Sequence, residues 1–419
     1  MTFLETLRKS NNAFIFLASF ISVSLFLKPG FLTASVILFS IYCFFNFDSN
    51  LRHQIKLHKI LILPFFLFFL YVIGTFFAFS FEEASIQIIK KIPLFLLPVC
   101  FFFLNKKISE REVQIILVFF LIGCLLFSII CVGYAMGNII QYKSLGNEEG
   151  YYFSYVALTR AIDIDPIYLS MYCNFALVIA LTTPLIEISW VRHGIVLFLC
   201  VFILMVASKM GIVTLVCVAM LWILTRPGKM VPKYILMTTL LLMLLIGIFE
   251  LPFLRNRFIT STKFDYSELN GGLWNSTTFR LAIWSSAWEA IKKRPVLGYG
   301  TSNGQKALES VYHEKNFVWG LKHSYNAHNE FLSATLDLGI LGLWAVSAMI
   351  IFPLIRSIQS KDMLTISFVM IVFLYLLIET MLLRQKGVIF FSFFYSLLFW
   401  HLNSWERLSA DRNSPLKEQ

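Results

Sequence analysis

Apolar runs of about twenty residues, separated by short polar connections, fill most of this chain. They predict membrane-spanning helices near residues 12–28, 31–47, 59–78, 86–104, 113–134 and 167–186. Further spans follow near 190–207, 210–225, 233–252, 330–355, 363–383 and 387–403, making about twelve in all. One stretch breaks the rhythm: from Arg255 to Asn329 the chain is long and polar. Inside it, Ser276-Thr277-Thr278 followed by Phe279 to Lys293 reads as a capped helix, with Pro295 beyond its end. Leu281, Trp284, Trp288 and Ile291 recur there at helical spacing and predict its apolar face. Pro295-Val296-Leu297-Gly298-Tyr299-Gly300 predicts a tight turn whose glycines permit close backbone approach. The expected organisation is therefore nine spans over residues 1–252, a polar loop over 253–329, three spans over 330–404 and a tail over 405–419.

Composition fixes the class. Of 419 residues, 58% are hydrophobic and only 14% charged, against about 25% charged in ordinary soluble domains. The chain reads as an all-α integral membrane protein. Its formal net charge of +11 is explained by basic residues at span ends, so nucleic acid is not an expected partner. The seven cysteines all fall inside apolar runs, which offers neither a disulfide framework nor zinc spacing. Arg8 and Lys9 precede the first apolar run without a clear cleavage site, so that run reads as a retained helix.

Charge alternation sets the expected sidedness. With the N-terminus in the cytoplasm, the inner loops hold Arg52, Lys56 and Lys59, then Lys106, Lys107 and Arg111, and then Arg192. Arg226, Lys229 and Lys233 follow, then Arg356 and Lys361, and the tail adds Arg407, Arg412 and Lys417. The connection from Phe79 to Ser85 carries Glu82 and Glu83 instead and reads as external. Both termini are then cytoplasmic and the Arg255–Asn329 segment is external, periplasmic in a cell with an outer membrane. A shorter external loop runs from about Gly137 to Pro166.

Basic residues at the outer ends of spans break the pattern: Lys90 and Lys91, Lys209, and Arg384 with Lys386. Lys90 and Lys91 read equally as snorkelling side chains and as functional cations. Lys209, in the minimal connection Ala207-Ser208-Lys209-Met210-Gly211, reads as functional. Arg280, one turn before Trp284, is either an anion contact or a surface arginine beside tryptophan. His323 and His328 flank Tyr325 and Asn326 before the tenth span, with Asn329 and Glu330 placed to orient a ring. Histidine is the side chain most readily tuned to take a proton near neutral pH. In the other external loop, Asp163 and Asp165 fit a divalent cation, while Asp165-Pro166 equally fits a helix start; Arg160 beside them is a candidate anion contact. No metal or other cofactor is expected. Cations around a candidate base suit an anionic lipid headgroup such as a diphosphate.

Phe279-Arg280-Leu281-x-x-Trp284-x-x-Ala287-Trp288, then Arg294-Pro295-Val296-Leu297-Gly298-Tyr299-Gly300, then Ala327-His328-Asn329-Glu330-Phe331-Leu332 resembles the O-antigen ligase family, as does Leu336-Asp337-Leu338-Gly339-Ile340-Leu341-Gly342. The resemblance implies a multi-span glycosyltransferase of GT-C-like fold with about twelve spans and one large late periplasmic helical loop. It implies metal-independent, inverting transfer of a glycan from undecaprenyl diphosphate to an acceptor hydroxyl, here of lipid A-core or another glycan, in the bacterial inner membrane. By it, Arg280 and His328 are the catalytic pair, with His328 taking the acceptor proton. Ser208-Lys209 stands where the family has Ser-Arg, so the cation is kept and the bidentate fork is lost. Lys209 would hold the diphosphate, with Arg160, Arg384 and Lys386 as further contacts. The family also includes polymerases of the same glycans and protein O-oligosaccharyltransferases. A reading from another class is a flippase for lipid-linked glycans, which would want charge inside the spans, where the sequence places little.

Overall fold

The computed structural model describes residues 12–46, 59–104, 108–142, 152–250 and 276–413. Arg8, Lys9, Arg52, Lys56, Lys106, Lys107, Lys417 and the first part of the polar loop, through residue 275, lie outside the described residues. The described chain is helical, and it divides into two compact units.

The helices in chain order begin with α1 (Asn12–Ser24), α2 (Pro29–Phe45), α3 (Ile62–Gly74), α4 (Phe81–Phe103) and α5 (Glu110–Tyr142). Then come α6 (Tyr155–Thr159), α7 (Pro166–Thr182), α8 (Ser189–Val206), α9 (Lys209–Thr225) and α10 (Met230–Glu250). The polar loop contributes α11 (Ser276–Lys293), α12 (Asn303–Glu314) and α13 (Val318–Lys322). The chain continues in α14 (Glu330–Gln359), α15 (Met363–Leu376) and α16 (Gln385–Asn413). Each segment expected to span contains a helix among the described residues. Five stretches are long and apolar enough to cross a membrane among the described residues: Lys59–Phe77, Phe81–Phe102, Glu110–Gln141, Ser189–Val206 and Glu330–Gln359. A sixth is added if Tyr155–Ile162 and Pro166–Thr182, bent by 80°, make one broken span. The remaining apolar helices include Ala13–Ser24, Pro29–Phe45, Lys209–Thr225 and Met363–Leu376, each shorter than 18 residues.

Several boundaries differ from the sequence reading, the last helix running on to Asn413 into the expected tail. Helix α4 starts at Phe81, because the Ser80 side chain accepts from Glu83 N. Glu82 and Glu83 therefore lie in a first helical turn, where carboxylates complement the helix dipole, rather than in a loop. Helix α5 runs on to Tyr142, past the expected loop start at Gly137. Helix α15 stops at Leu376, so Leu377 to Thr380 form a non-helical connection.

One unit comprises Met1–Ile21, Pro29–Ile116 and Lys263–Gln419. Within it α16 packs along α4, α3 lies against α4 and α14, and α14 against α15. Aromatic rings fill the joints, as with Phe65 stacked on Phe95 at 5.2 Å and Phe39 edge-on to Phe393 at 6.2 Å. Helix α14 is broken at Gly339, whose φ of 63° and ψ of −149° are open essentially to glycine alone. The break strips the Leu336 and Asp337 carbonyls of their usual partners four residues on, and the loop replaces them. Tyr299 N donates to Leu336 O at 2.9 Å and Gly300 N to Asp337 O at 2.8 Å, while Ile340 N donates to Val296 O at 3.2 Å. A Cβ on Gly339 would lie 2.1 Å from Val296 O. The tight turn expected at 295–300 is thus stitched into a broken helix, and its glycines serve that approach.

The other unit comprises Ser22–Lys28 and Leu117–Thr262. Its centre is α7, buried almost throughout and flanked by α8 and α9. Asn174 Nδ2 donates to Ser170 O within α7 and to Gly211 O of α9, tying the two helices together.

Candidate active site

Within the first unit, the polar loop folds around its own small core. Phe279, Ala282, Ile283, Ala287, Ala290 and Ile291 of α11 pack with Leu308, Val311, Tyr312, Phe317 and Leu336. Of the expected face, Ile291 lies in this core and Trp284 packs against it, whereas Leu281 is half-buried and Trp288 is 55% exposed. Large aromatic residues drew the sequence reading, whereas small ones, Ala282, Ala287 and Ala290, let α11 approach its neighbours closely.

The core presents α11 so that Arg280 reaches the connection after α15. Its Nε donates to Ile378 O and its NH1 to Ser276 O, each at 3.3 Å. The same connection is gripped by the start of α14. Asn329 caps α14 by accepting from Leu332 N at 3.0 Å, and its Nδ2 donates to Leu377 O at 2.9 Å. Glu330 Oε2 accepts from Leu382 N at 2.9 Å. Between these, His328 Nδ1 lies 3.2 Å from Glu379 Oε2. Neither Asn329 nor Glu330, the expected partners, contacts the ring; Glu379 does. The sequence signal for Glu379 was a single carboxylate inside the run expected to span 363–383.

His328 itself is held in the left-handed region at φ 41°, with its N–H donating to Asn326 Oδ1 at 2.9 Å. Such a backbone costs of order 1 kcal/mol for a non-glycine residue and persists where the surroundings over-determine it. The His328 side chain is 24% exposed and that of Glu379 8%, so the ring is reachable and its carboxylate is not. Burial pushes the Glu379 carboxyl up. The hydrogen bond and charge of His328, with the charges of Arg280 and Arg384, outweigh that and hold it below the ordinary carboxylate range. A ring that donates Nδ1–H to an anionic carboxylate leaves Nε2 as acceptor, the tautomer a general base requires. A row of aromatic rings leads to it: Trp319 stacks on His323 at 5.2 Å, His323 on Tyr325 at 5.4 Å, and Tyr325 lies 6.1 Å from His328.

The other expected cations are distributed. Arg384, exposed, begins the step into α16 and bears on Glu379; Lys386 follows two residues later, half-buried. Lys90 is exposed on α4, but Lys91 is neither snorkelling nor at a surface. It is fully buried, 3.6 Å from Glu330 Oε1 and 4.0 Å above the Tyr71 ring. With Asp337 also buried in α14, the apolar helices hold more charge than the sequence suggested, which removes that objection to a flippase. Arg160 and Lys209 belong to the second unit. Arg160 is exposed at the end of α6, and Lys209 opens α9, whose cap is the Ser208 side chain accepting from Gly211 N. Asp165 caps α7 by accepting from Ile167 N at 2.8 Å, the helix-start role. No group of three or more His, Cys, Asp or Glu placed to hold a metal occurs among the described residues.

Residues 194–347 match the family model described as O-antigen ligase, a stretch that includes Lys209, Arg280 and His328. Over those residues the chain is similar to the O-antigen ligase family. That similarity suggests function of the O-antigen ligase or polymerase type, that of a membrane glycosyltransferase-like enzyme. Its apolar helices agree with a multi-pass membrane protein. No curated protein matches the chain. Glu379, Arg384 and Lys386 lie beyond the matched stretch.

Proposed function

We propose that this protein is an O-antigen ligase, transferring a glycan with inversion from undecaprenyl diphosphate to a hydroxyl of lipid A-core, without a metal. The observation that carries the reading is the convergence on residues 377–382 of a histidine paired with a buried carboxylate and of a loop arginine. Nε2 of His328 takes the proton of the acceptor hydroxyl as its oxygen bonds to the anomeric carbon. The bond from that carbon to the diphosphate oxygen breaks on the opposite face, inverting the centre. Arg280 stabilises the charge gathering on the departing diphosphate, where preorganised donors act most strongly. Glu379 stabilises the imidazolium that forms. Lys386 is a further diphosphate contact, and Arg384 acts through its charge on Glu379. Lys209 and Arg160 enter on the charge pattern and the family resemblance alone, as do about twelve spans, cytoplasmic termini and a periplasmic loop.

The test is transfer by the purified protein in detergent, supplied with a polyprenyl-diphosphate glycan and either core oligosaccharide or a second lipid-linked repeat. A ligase glycosylates the core; elongation of the repeat instead would make it the polymerase of the same superfamily. With no membrane to cross, transfer also excludes flipping as the sole activity, and absence of transfer to any acceptor overturns the reading.

A further inference from the structure

A cavity of about 480 Å³ opens beside the His328 segment within the same unit. One face of α4 forms a wall through Glu83, Gln87 and Lys90, and the first turns of α12 form another through Gln305 and Glu309. Asn326, whose carboxamide holds the His328 N–H, completes the wall toward the base, with Arg384 nearby. Its floor is Asp337, 4% exposed, which accepts from Gln87 Nε2 at 2.8 Å and from Gly304 N at 3.1 Å.

Charge decides what such a cavity takes. Lys90, Lys306 and Arg384 line it, but so do Glu83, Glu309 and Asp337. Lys306 is already paired with Glu83 at 2.7 Å. A diphosphate placed there would face as many carboxylates as cations. Amides and carboxylates in alternation instead provide donors and acceptors for a neutral polyhydroxylated ring, and the volume is ordinary for a small-molecule site. Position decides which sugar. An in-line displacement puts the acceptor and the leaving diphosphate on opposite sides of the reacting carbon. The cavity adjoins the base through Asn326 and Ala327, and Arg280, on the leaving-group side, is not among its lining residues.

We propose that this cavity binds the acceptor saccharide, seating the sugar whose hydroxyl is presented to His328. This rests on the transferase reading above and adds to it where the acceptor lies. The test uses the full-length protein in detergent, with a polyprenyl-diphosphate glycan as donor and a soluble core oligosaccharide as acceptor. Three variants avoid the base and Arg280: Lys90→Ala and Glu309→Ala at accessible positions, and Ser333→Phe to fill the cavity. The expected result is an acceptor KM raised about tenfold for each lost charged contact and further for Ser333→Phe, with donor KM unchanged. A rise in donor KM alone, or unchanged KM values for both substrates in the two accessible variants, overturns the assignment. Wild-type transfer with unaffected variants sinks the cavity alone; a wild-type protein that transfers nothing sinks the transferase reading first.

Discussion

Lys91→Met separates a structural account of the buried charges from a decorative one. Lys91 lies wholly buried between α3, which supplies Tyr71, and α14, which supplies Glu330. At 3.6 Å, two unit charges attract by roughly 4–5 kcal/mol at an effective dielectric of about 20. Much of that offsets desolvation, so the pair contributes little relative to an apolar pair of the same shape. Breaking it is different. Methionine fills the volume of the lysine stem but leaves the Glu330 carboxylate buried with Leu382 N as its one close donor among the described residues. The expected loss is about 3–5 kcal/mol. The double variant Lys91→Met, Glu330→Gln removes both charges and should recover most of it. The assay is unfolding in mixed micelles as a function of denaturing-detergent fraction, followed by tryptophan fluorescence. A single variant within about 1 kcal/mol of wild type, or a double variant no better than the single, would refute the reasoning.

Other outcomes follow from the same geometry. Glu379→Gln replaces an acceptor with an amide that can donate to Nδ1, moving the ring proton to Nε2; kcat should fall about a hundredfold or more at neutral pH, with KM values kept and partial rescue by Glu379→Asp. Because Glu379 is held below the ordinary carboxylate range, its contribution to stability is present above that range and disappears as pH falls through its folded value. The acid limb of stability should therefore flatten in Glu379→Gln, as read by melting at stepped pH. Gly339→Ala puts a Cβ 2.1 Å from Val296 O in a backbone region closed to alanine, and should destabilise by at least about 1–3 kcal/mol in the same unfolding assay, while Gly194→Ala, with open space around it, should not. Transfer should persist in excess EDTA; activity lost there and restored by a divalent cation would return Asp163 and Asp165 to the chemistry.

Much of the candidate site was legible because its residues sit in local patterns. Arg280 stands out within the Phe279–Trp288 motif, and His328 within Ala327–Leu332. Helices were legible from apolar runs, which report burial in lipid or protein without distinguishing them. The orienting carboxylate was not legible, since Glu379 lies 51 residues from His328 and meets it only through the packing of α14 and α15. Asn329 and Glu330 looked like ring partners because they are adjacent in sequence; the first is committed to capping and the second to Lys91 and Leu382. The face of α11 was legible only in part, at Ile291 and Trp284, because tryptophan dominates an apolar count while contact with α12 and α14 selects small side chains.

The most direct measurement is the rate of glycan transfer by purified His328→Ala in detergent, from a polyprenyl-diphosphate donor to core oligosaccharide, beside the wild-type protein. Loss of about a hundredfold or more, in a variant whose melting matches wild type, is what a general base at this position predicts. Transfer at near wild-type rate by a folded His328→Ala would contradict it.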